Sequence, residues 1–143
     1  MIALGVMIDA ADPHLHGASS NGRSRGTVLL VDDDQKFRQL LHEFLELKGY
    51  TVATAATGEE MLERLSNLTP AVVLLDVMLP GMDGILAFKH LRLLRPNLPV
   101  IFITNTDSDR TREEAVTLGS NEYLLKPFSF DYLETILLTR IFN

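Results

Sequence analysis

The sequence predicts an α/β fold, a five-stranded parallel sheet with helices on both faces. Three observations carry this. Short apolar runs alternate five times with stretches whose apolar residues recur at helical spacing. The third run, Ala71-Val72-Val73-Leu74-Leu75, is apolar throughout, as in a strand covered on both faces. Gly, Pro and helix-capping residues separate the runs, which favours right-handed β-α crossovers over hairpins.

The elements follow in order. Val28 to Val31 is the first strand, and Phe37, Leu40, Leu41, Phe44 and Leu45 form the stripe of the first helix. Lys48 and Gly49 end that helix. Tyr50 to Ala53 is a second, weaker strand. Thr57-Gly58-Glu59-Glu60 has the form of a capping box, opening a helix with Met61, Leu62, Leu65 and Leu68 inward. The third strand ends in Asp76 and the turn Met78-Leu79-Pro80-Gly81-Met82-Asp83-Gly84. Ala87, Phe88, Leu91 and Leu94 make the next helical stripe, which ends before Pro96. Val100 to Thr104 is the fourth strand, and a shorter helix runs from Asp107 or Ser108 through Leu118, with Gly119 as its stop. Glu122 to Leu125 is the fifth strand. After Lys126-Pro127, Ser129 opens a last helix carrying Tyr132, Leu133, Ile136, Leu137 and Ile141.

Composition bounds what the chain does. Its 143 residues suit one domain, and a domain of this size buries roughly 68–70% of its unfolded surface. A net charge of -6 argues against non-specific nucleic-acid binding, which needs a basic face. The absence of cysteine excludes disulfides, thiolate zinc sites and cysteine nucleophiles. No apolar run approaches the ~18 residues of a membrane span, and the apolar start Met1 to Ile8 has no basic residue before it. A cytoplasmic protein without membrane contact is expected. Residues 1–26 are expected to be a flexible arm or an expression remnant, since His14 to Gly26 is rich in Gly, Ser, Asn and Arg without periodicity. Residues 27–143 form the domain. His42 and His90 are expected on helix surfaces, and His14 and His16 alone make a weak metal site.

The strands of a parallel sheet point their carboxyl ends the same way, where open α/β folds bind ligands. The first strand ends in Asp32-Asp33-Asp34, the third in Asp76 and the fourth in Thr104, while the fifth reaches Lys126. Each has a plainer account taken alone: a helix cap for Asp34 or Thr104, an Asx turn for Asp76, a solvated end for Lys126. Their convergence on one edge favours chemistry. Crowded carboxylates repel and raise a pKa unless a cation joins them. A hard divalent ion such as Mg²⁺ suits oxygen ligands, and nothing there offers the soft or imidazole ligands that zinc prefers. A remaining Asp can then act as a nucleophile towards phosphorus, with Lys126 stabilising the developing charge.

These segments, in this order, resemble the receiver domain of two-component response regulators over about residues 27–143. Val31-Asp32-Asp33-Asp34 resembles the family's acidic pair, and Asp76 with Leu79-Pro80-Gly81-Met82-Asp83-Gly84 its phosphoacceptor and following loop. Ile101-Phe102-Ile103-Thr104 resembles the switch strand. Glu122-Tyr123-Leu124-Leu125-Lys126-Pro127-Phe128 resembles the block with the switch aromatic and the essential lysine. The resemblance implies a doubly wound, flavodoxin-like sheet of order 2-1-3-4-5 with five helices. It implies that Asp76 accepts a phosphoryl group from a sensor histidine kinase or a histidine phosphotransfer protein, and that the protein catalyses only its own phosphorylation and dephosphorylation. Asp33, Asp76 and the Met78 backbone carbonyl would hold Mg²⁺ directly, and Asp32 largely through water. Thr104 and Tyr123 would form the switch pair, Lys126 would bind the phosphoryl group, and the Lys126-Pro127 bond would be cis. A downstream output protein or domain would read the surface of the fourth helix, fifth strand and fifth helix.

Departures from the family pattern carry further expectations. Asn105 stands where the family usually has Ala or Gly, and narrows access to the phosphoryl group. Met78 cannot orient an attacking water, so the phosphorylated form should be long-lived. Asp131 and Glu134 make the last helix acidic, which lowers the expectation of a homodimer through that face without removing it. The sequence stops soon after the last helix, as in a stand-alone receiver or a part of a larger regulator. Two rival readings stay open. One is a degenerate receiver that works as an unphosphorylated interaction module. The other is an aspartyl-phosphate hydrolase of the haloacid-dehalogenase kind, whose nucleophile is followed two residues on by an Asp where this chain has Met78. The lack of a glycine-rich phosphate loop argues against nucleotide binding.

Overall fold

Strands β1 (Thr27–Val31), β2 (Thr51–Ala55), β3 (Val72–Leu75), β4 (Val100–Thr104) and β5 (Glu122–Leu125) form one parallel sheet in the order β2-β1-β3-β4-β5. The computed structural model describes residues 24–105 and 108–142. The rest of the expected arm, residues 1–23 with His14 and His16, and the alternative helix start at Asp107 lie outside the described residues. Helices α1 (Gln35–Leu47), α2 (Gly58–Leu65), α3 (Gly84–Leu94), α4 (Asp109–Thr117) and α5 (Phe130–Ile136) complete the alternation, and a π-helical turn over Leu137–Ile141 extends α5. The fold class, the strand order and the five helices are those expected.

Alternation within each strand sends side chains to opposite faces. Leu29, Val31, Val73, Leu75, Val100 and Phe102 pack with Met61 and Leu65 of α2, Phe88 and Leu91 of α3 and Ala115 of α4. Val28, Leu30, Val72, Leu74, Ile101 and Ile103 pack with Leu41 and Leu45 of α1 and Leu133 and Ile136 of α5. Three helices therefore cover one face and two the other. The runs in β1, β3 and β4 are apolar throughout because both faces are buried.

The caps are chemical. Asp34, Thr57, Asp83, Ser108 and Ser129 each accept from a backbone N–H in the first turn of the next helix. The box at α2 is displaced by one residue. Thr57 accepts from the Glu60 N–H at 3.0 Å, but Glu60 reaches back to the Ala56 N–H at 2.6 Å instead of that of Thr57.

Several side chains fall on the other side from that expected. Leu40 is 50% exposed, because Leu41 and Leu45 define the inward line of α1 and Leu40 lies about 100° away from Leu41. Leu94 closes α3 and is 58% exposed, and Tyr132 is exposed on the first turn of α5. His42 is half-buried, with Nδ1 3.5 Å from Glu46. Glu134 turns inward to Arg25 at 3.6 Å and Lys48 at 3.7 Å. Residues 24–26 dock on the sheet: the Arg25 N–H donates to the Gly49 carbonyl at 2.8 Å, and the Gly26 carbonyl accepts from the Thr51 N–H at 2.9 Å.

One close approach fixes the loop after β3. The Gly84 N–H donates to the Val77 carbonyl at 2.6 Å, and a Cβ on Gly84 would collide with the Asp76 carbonyl oxygen. Gly84→Ala should therefore push the start of α3 off this loop and cost about 1–3 kcal/mol in urea unfolding. An unchanged midpoint would show that the junction has room to give.

Candidate functional site

Strand ladders build the acidic cluster. The Asp32 N–H donates to Ala55 of β2 at 3.1 Å, and the Asp76 N–H donates to Val31 of β1 at 2.9 Å. Both residues thus continue strands that pair with each other. Asp32 is fully buried, Asp76 is 3% exposed and Asp33 is exposed. One carboxylate oxygen from each lies within 4.8 Å of the others. Asp34 stands apart as the cap of α1, its Oδ1 accepting from the Phe37 N–H at 3.1 Å.

Lys126 enters from the end of β5. Its Nζ donates to Asp32 Oδ2 at 2.6 Å and to Asp76 Oδ2 at 3.3 Å. The other oxygens are occupied by local turns: Asp32 Oδ1 accepts from the Asp34 N–H at 2.9 Å, and Asp76 Oδ1 from the Met78 N–H at 3.0 Å. The Lys126 N–H donates to the Thr104 carbonyl at 2.8 Å, which ties the lysine to the end of β4. The Lys126–Pro127 peptide is cis.

The switch candidates occupy the next layer. Thr104 is fully buried. In the β4–β5 register Phe102 faces Tyr123 and Thr104 faces Leu125, so Thr104 and Tyr123 share the face that carries α4. The Tyr123 ring packs on Phe102 at 6.0 Å, and the Arg112 guanidinium of α4 lies 4.4 Å from its centroid. Asn105 is exposed directly after Thr104, and Met78 is 58% exposed after Asp76. Asp32, Asp33, Asp76 and Lys126 therefore gather in one cluster, Thr104 adjoins it, and Tyr123 lies a layer below.

Two contacts at the site could not be read along the chain. Phe37, which the periodicity places simply in the core, lies with its ring centroid 4.1 Å from Lys126 Nζ. Arg38 donates to the Asp32 carbonyl at 2.6 Å. Both are set by how α1 sits over the strand ends.

Burial is the main force raising the Asp76 carboxyl to about 6. The nearby Asp32 charge adds to the shift, while the Met78 N–H and Lys126 oppose it. Burial alone would pull the Lys126 ammonium down, but its hydrogen bond to Asp32 and the Asp76 and Asp32 charges outweigh this and raise it. Three carboxylates against one ammonium leave excess negative charge in a small volume. The donors are all hard oxygens, and this set fits a divalent ion of the Mg²⁺ kind.

The sign of the Asp76 shift sets a pH dependence. A carboxyl whose pKa is higher in the folded chain costs nothing below its ordinary value of 3.8 and progressively more as pH rises to about 6. Without divalent cations, stability relative to Asp76→Asn should fall across that window by on the order of 1–3 kcal/mol and then level off. Thermal unfolding of both proteins in chelator between pH 3.5 and 7.5 measures this. A constant gap would mean that the carboxylate carries no such penalty.

The comparisons with known proteins agree with this geometry. The family described as response regulator receiver domain matches residues 28–138. The response regulator MprA of Mycobacterium sp. (strain KMS) is 38% identical over 106 residues, covering 74% of this chain and 46% of that protein. The alkaline phosphatase synthesis transcriptional regulatory protein PhoP of Bacillus subtilis is 39% identical over 102 residues, covering 71% of this chain and 42% of that protein. The chain thus spans less than half the length of these curated relatives. The crystal structure of a CheY-like response regulator receiver domain protein from Methanospirillum hungatei superposes with a TM-score of 0.73 at 32% identity, covering 77% of this chain and 89% of that one. With its family match, its sheet order and its acidic strand ends in agreement, the chain belongs to the response-regulator receiver domain family.

Proposed function

We propose that this domain is a phosphoryl-accepting signalling switch in which Asp76 takes the phosphoryl group. The observation that carries the reading is the lysine ammonium shared by two buried carboxylates, 2.6 Å from Asp32 and 3.3 Å from Asp76. An Asp76 oxygen attacks phosphorus, the bond from phosphorus to the donor nitrogen breaks, and the donor imidazole leaves with the electron pair. Lys126 follows the new charge, moving its hydrogen bond from the carboxylate to the phosphoryl oxygens. Asp33, Asp76 and the Met78 carbonyl would hold Mg²⁺, with Asp32 acting largely through water. When bound, the ion neutralises charge on the transferring phosphoryl oxygens. The chain acts on its own phosphorylation state and turns over no separate substrate.

The signal leaves through Thr104. A phosphoryl group brings up to about two negative charges and three acceptor oxygens. The Thr104 hydroxyl bonds one of them, Tyr123 moves into the space vacated, and the α4–β5–α5 surface changes. The donor is a sensor histidine kinase or a histidine phosphotransfer protein. The reader is an output protein or domain, with a second copy of this chain as a further partner. The domain operates in the cytoplasm without direct nucleic-acid contact. Among the described residues no helix is long and apolar enough to cross a membrane.

Acetyl phosphate with Mg²⁺, read by intact mass, tests the central claim. Wild type should gain one phosphoryl group and Asp76→Asn none. An unmodified wild type would favour the degenerate module, and labelling retained in Asp76→Asn would place the acceptor elsewhere. Lifetime is a separate test. Met78 offers no group to orient water, so Met78→Asn or Met78→Glu should speed decay of the phosphorylated form by roughly tenfold, an orientation effect on the attacking water. Equal decay in all three proteins would remove Met78 as a determinant, leaving access past Asn105 to be tested by Asn105→Ala.

A further inference from the structure

We infer that Phe37 is a positioning residue for Lys126, its ring serving as the third wall that holds the ammonium against the Asp32–Asp76 pair. The contact is read from the geometry alone, while its consequence for the reaction rests on the phosphoryl-acceptor reading. Lys126 Nζ lies 4.1 Å from the Phe37 ring centroid, within cation–π range. Its side chain is only 10% exposed. A lysine ammonium is a compact point charge on a flexible four-carbon stem. Two carboxylates fix its charge from one side, and the negative ring face holds it from another while covering it from water.

The ring is itself held from two directions. The Asp34 cap takes the Phe37 N–H at 3.1 Å, so the acidic segment that brings Asp32 and Asp33 also sets the ring's place on α1. From the other side, Phe128 and Phe130 meet Phe37 edge-on, each at 6.0 Å and at 75° and 79°. Residues 126 and 128 of the β5–α5 loop and residue 130, the first of α5, thus all meet the same α1 side chain. Phe44 backs Phe130 at 5.4 Å. A leucine at position 37 would fill much of this space but supply neither the flat face nor the quadrupole.

The experiment compares wild type, Phe37→Leu, Phe37→Trp and Phe44→Leu. Phe44 serves as control because it belongs to the same aromatic cluster while its ring lies under Lys48. The maximal rate of phosphorylation by acetyl phosphate at saturating Mg²⁺ should fall about tenfold in Phe37→Leu and be largely rescued in Phe37→Trp. Phe44→Leu should keep the wild-type rate. The half-saturating Mg²⁺ concentration should stay the same throughout, which separates a misplaced lysine from a damaged metal site. In NMR spectra, the Lys126 ε-methylene protons should show an upfield ring-current shift that Phe37→Leu abolishes and Phe44→Leu leaves in place. Wild-type rate in Phe37→Leu, equal losses in Phe37→Leu and Phe44→Leu, or an unmoved Lys126 signal would each overturn the assignment. If wild type accepts no phosphoryl group, the functional reading fails, while the NMR comparison still decides whether Phe37 holds Lys126.

Discussion

The ammonium of Lys126, buried between Asp32 and Asp76, is the interaction on which the arrangement of the carboxyl edge depends. The two carboxylates sit on adjacent strands, so their charges are forced together by the ladder between β1 and β3. Leaving them unpaired at that depth would cost several kcal/mol. The lysine comes from 94 residues further along the chain than Asp32. Because β4 lies between β3 and β5, the lysine's strand is two places, about 10 Å, from that of Asp76. Only a long side chain bridges such a gap. The order of the strands, more than any local motif, therefore requires a long side chain for the cation at this position.

That long side chain links the acidic pair to the rest of the edge. The lysine's backbone N–H is bonded to Thr104, and its ammonium rests on Phe37 of α1. A change in charge at Asp76 therefore acts first on Lys126, and through it on groups from both faces of the sheet. The two apolar clusters beneath do not share this sensitivity, since the strand residues of β1, β3 and β4 are buried on both faces. Close packing there transmits displacement without absorbing it.

The fold was legible because its signals are local. Uninterrupted apolar runs, caps and glycine stops each occupy a few consecutive residues, and parallel strands then place their last residues together without further information. The acidic segment, Asp76, Thr104 and Lys126 were legible for the same reason, since each ends a strand. What the sequence hides is set by tertiary placement. Phe37 reads as an ordinary core position, and only the seating of α1 over the strand ends turns its ring to the lysine. Leu40, Leu94 and Tyr132 read as inward because apolar periodicity does not say where a helix's buried line is centred or where the helix leaves the sheet. Glu134 reads as a free acidic surface residue, yet Arg25 and Lys48 engage it from segments distant in sequence.

The uneven anchoring of the helices bears on where a signal can leave. Helix α3 buries five residues and α4 only Ala115. Polar clips supply much of what holds α4. Arg92 of α3 donates to the Leu118 carbonyl at 2.9 Å and the Gly119 carbonyl at 3.0 Å, fixing the end of α4, while Arg112 lies over Tyr123 along its length. Burial pulls the Arg92 guanidinium pKa down, because desolvation disfavours the charged form. A helix with little apolar area and a pinned end can pivot at smaller free-energy cost than one seated in the core. Tyr123 lies on that helix's side of the sheet, two register positions below Thr104. Helix α4, which covers Tyr123, is thus the helix least committed to the core.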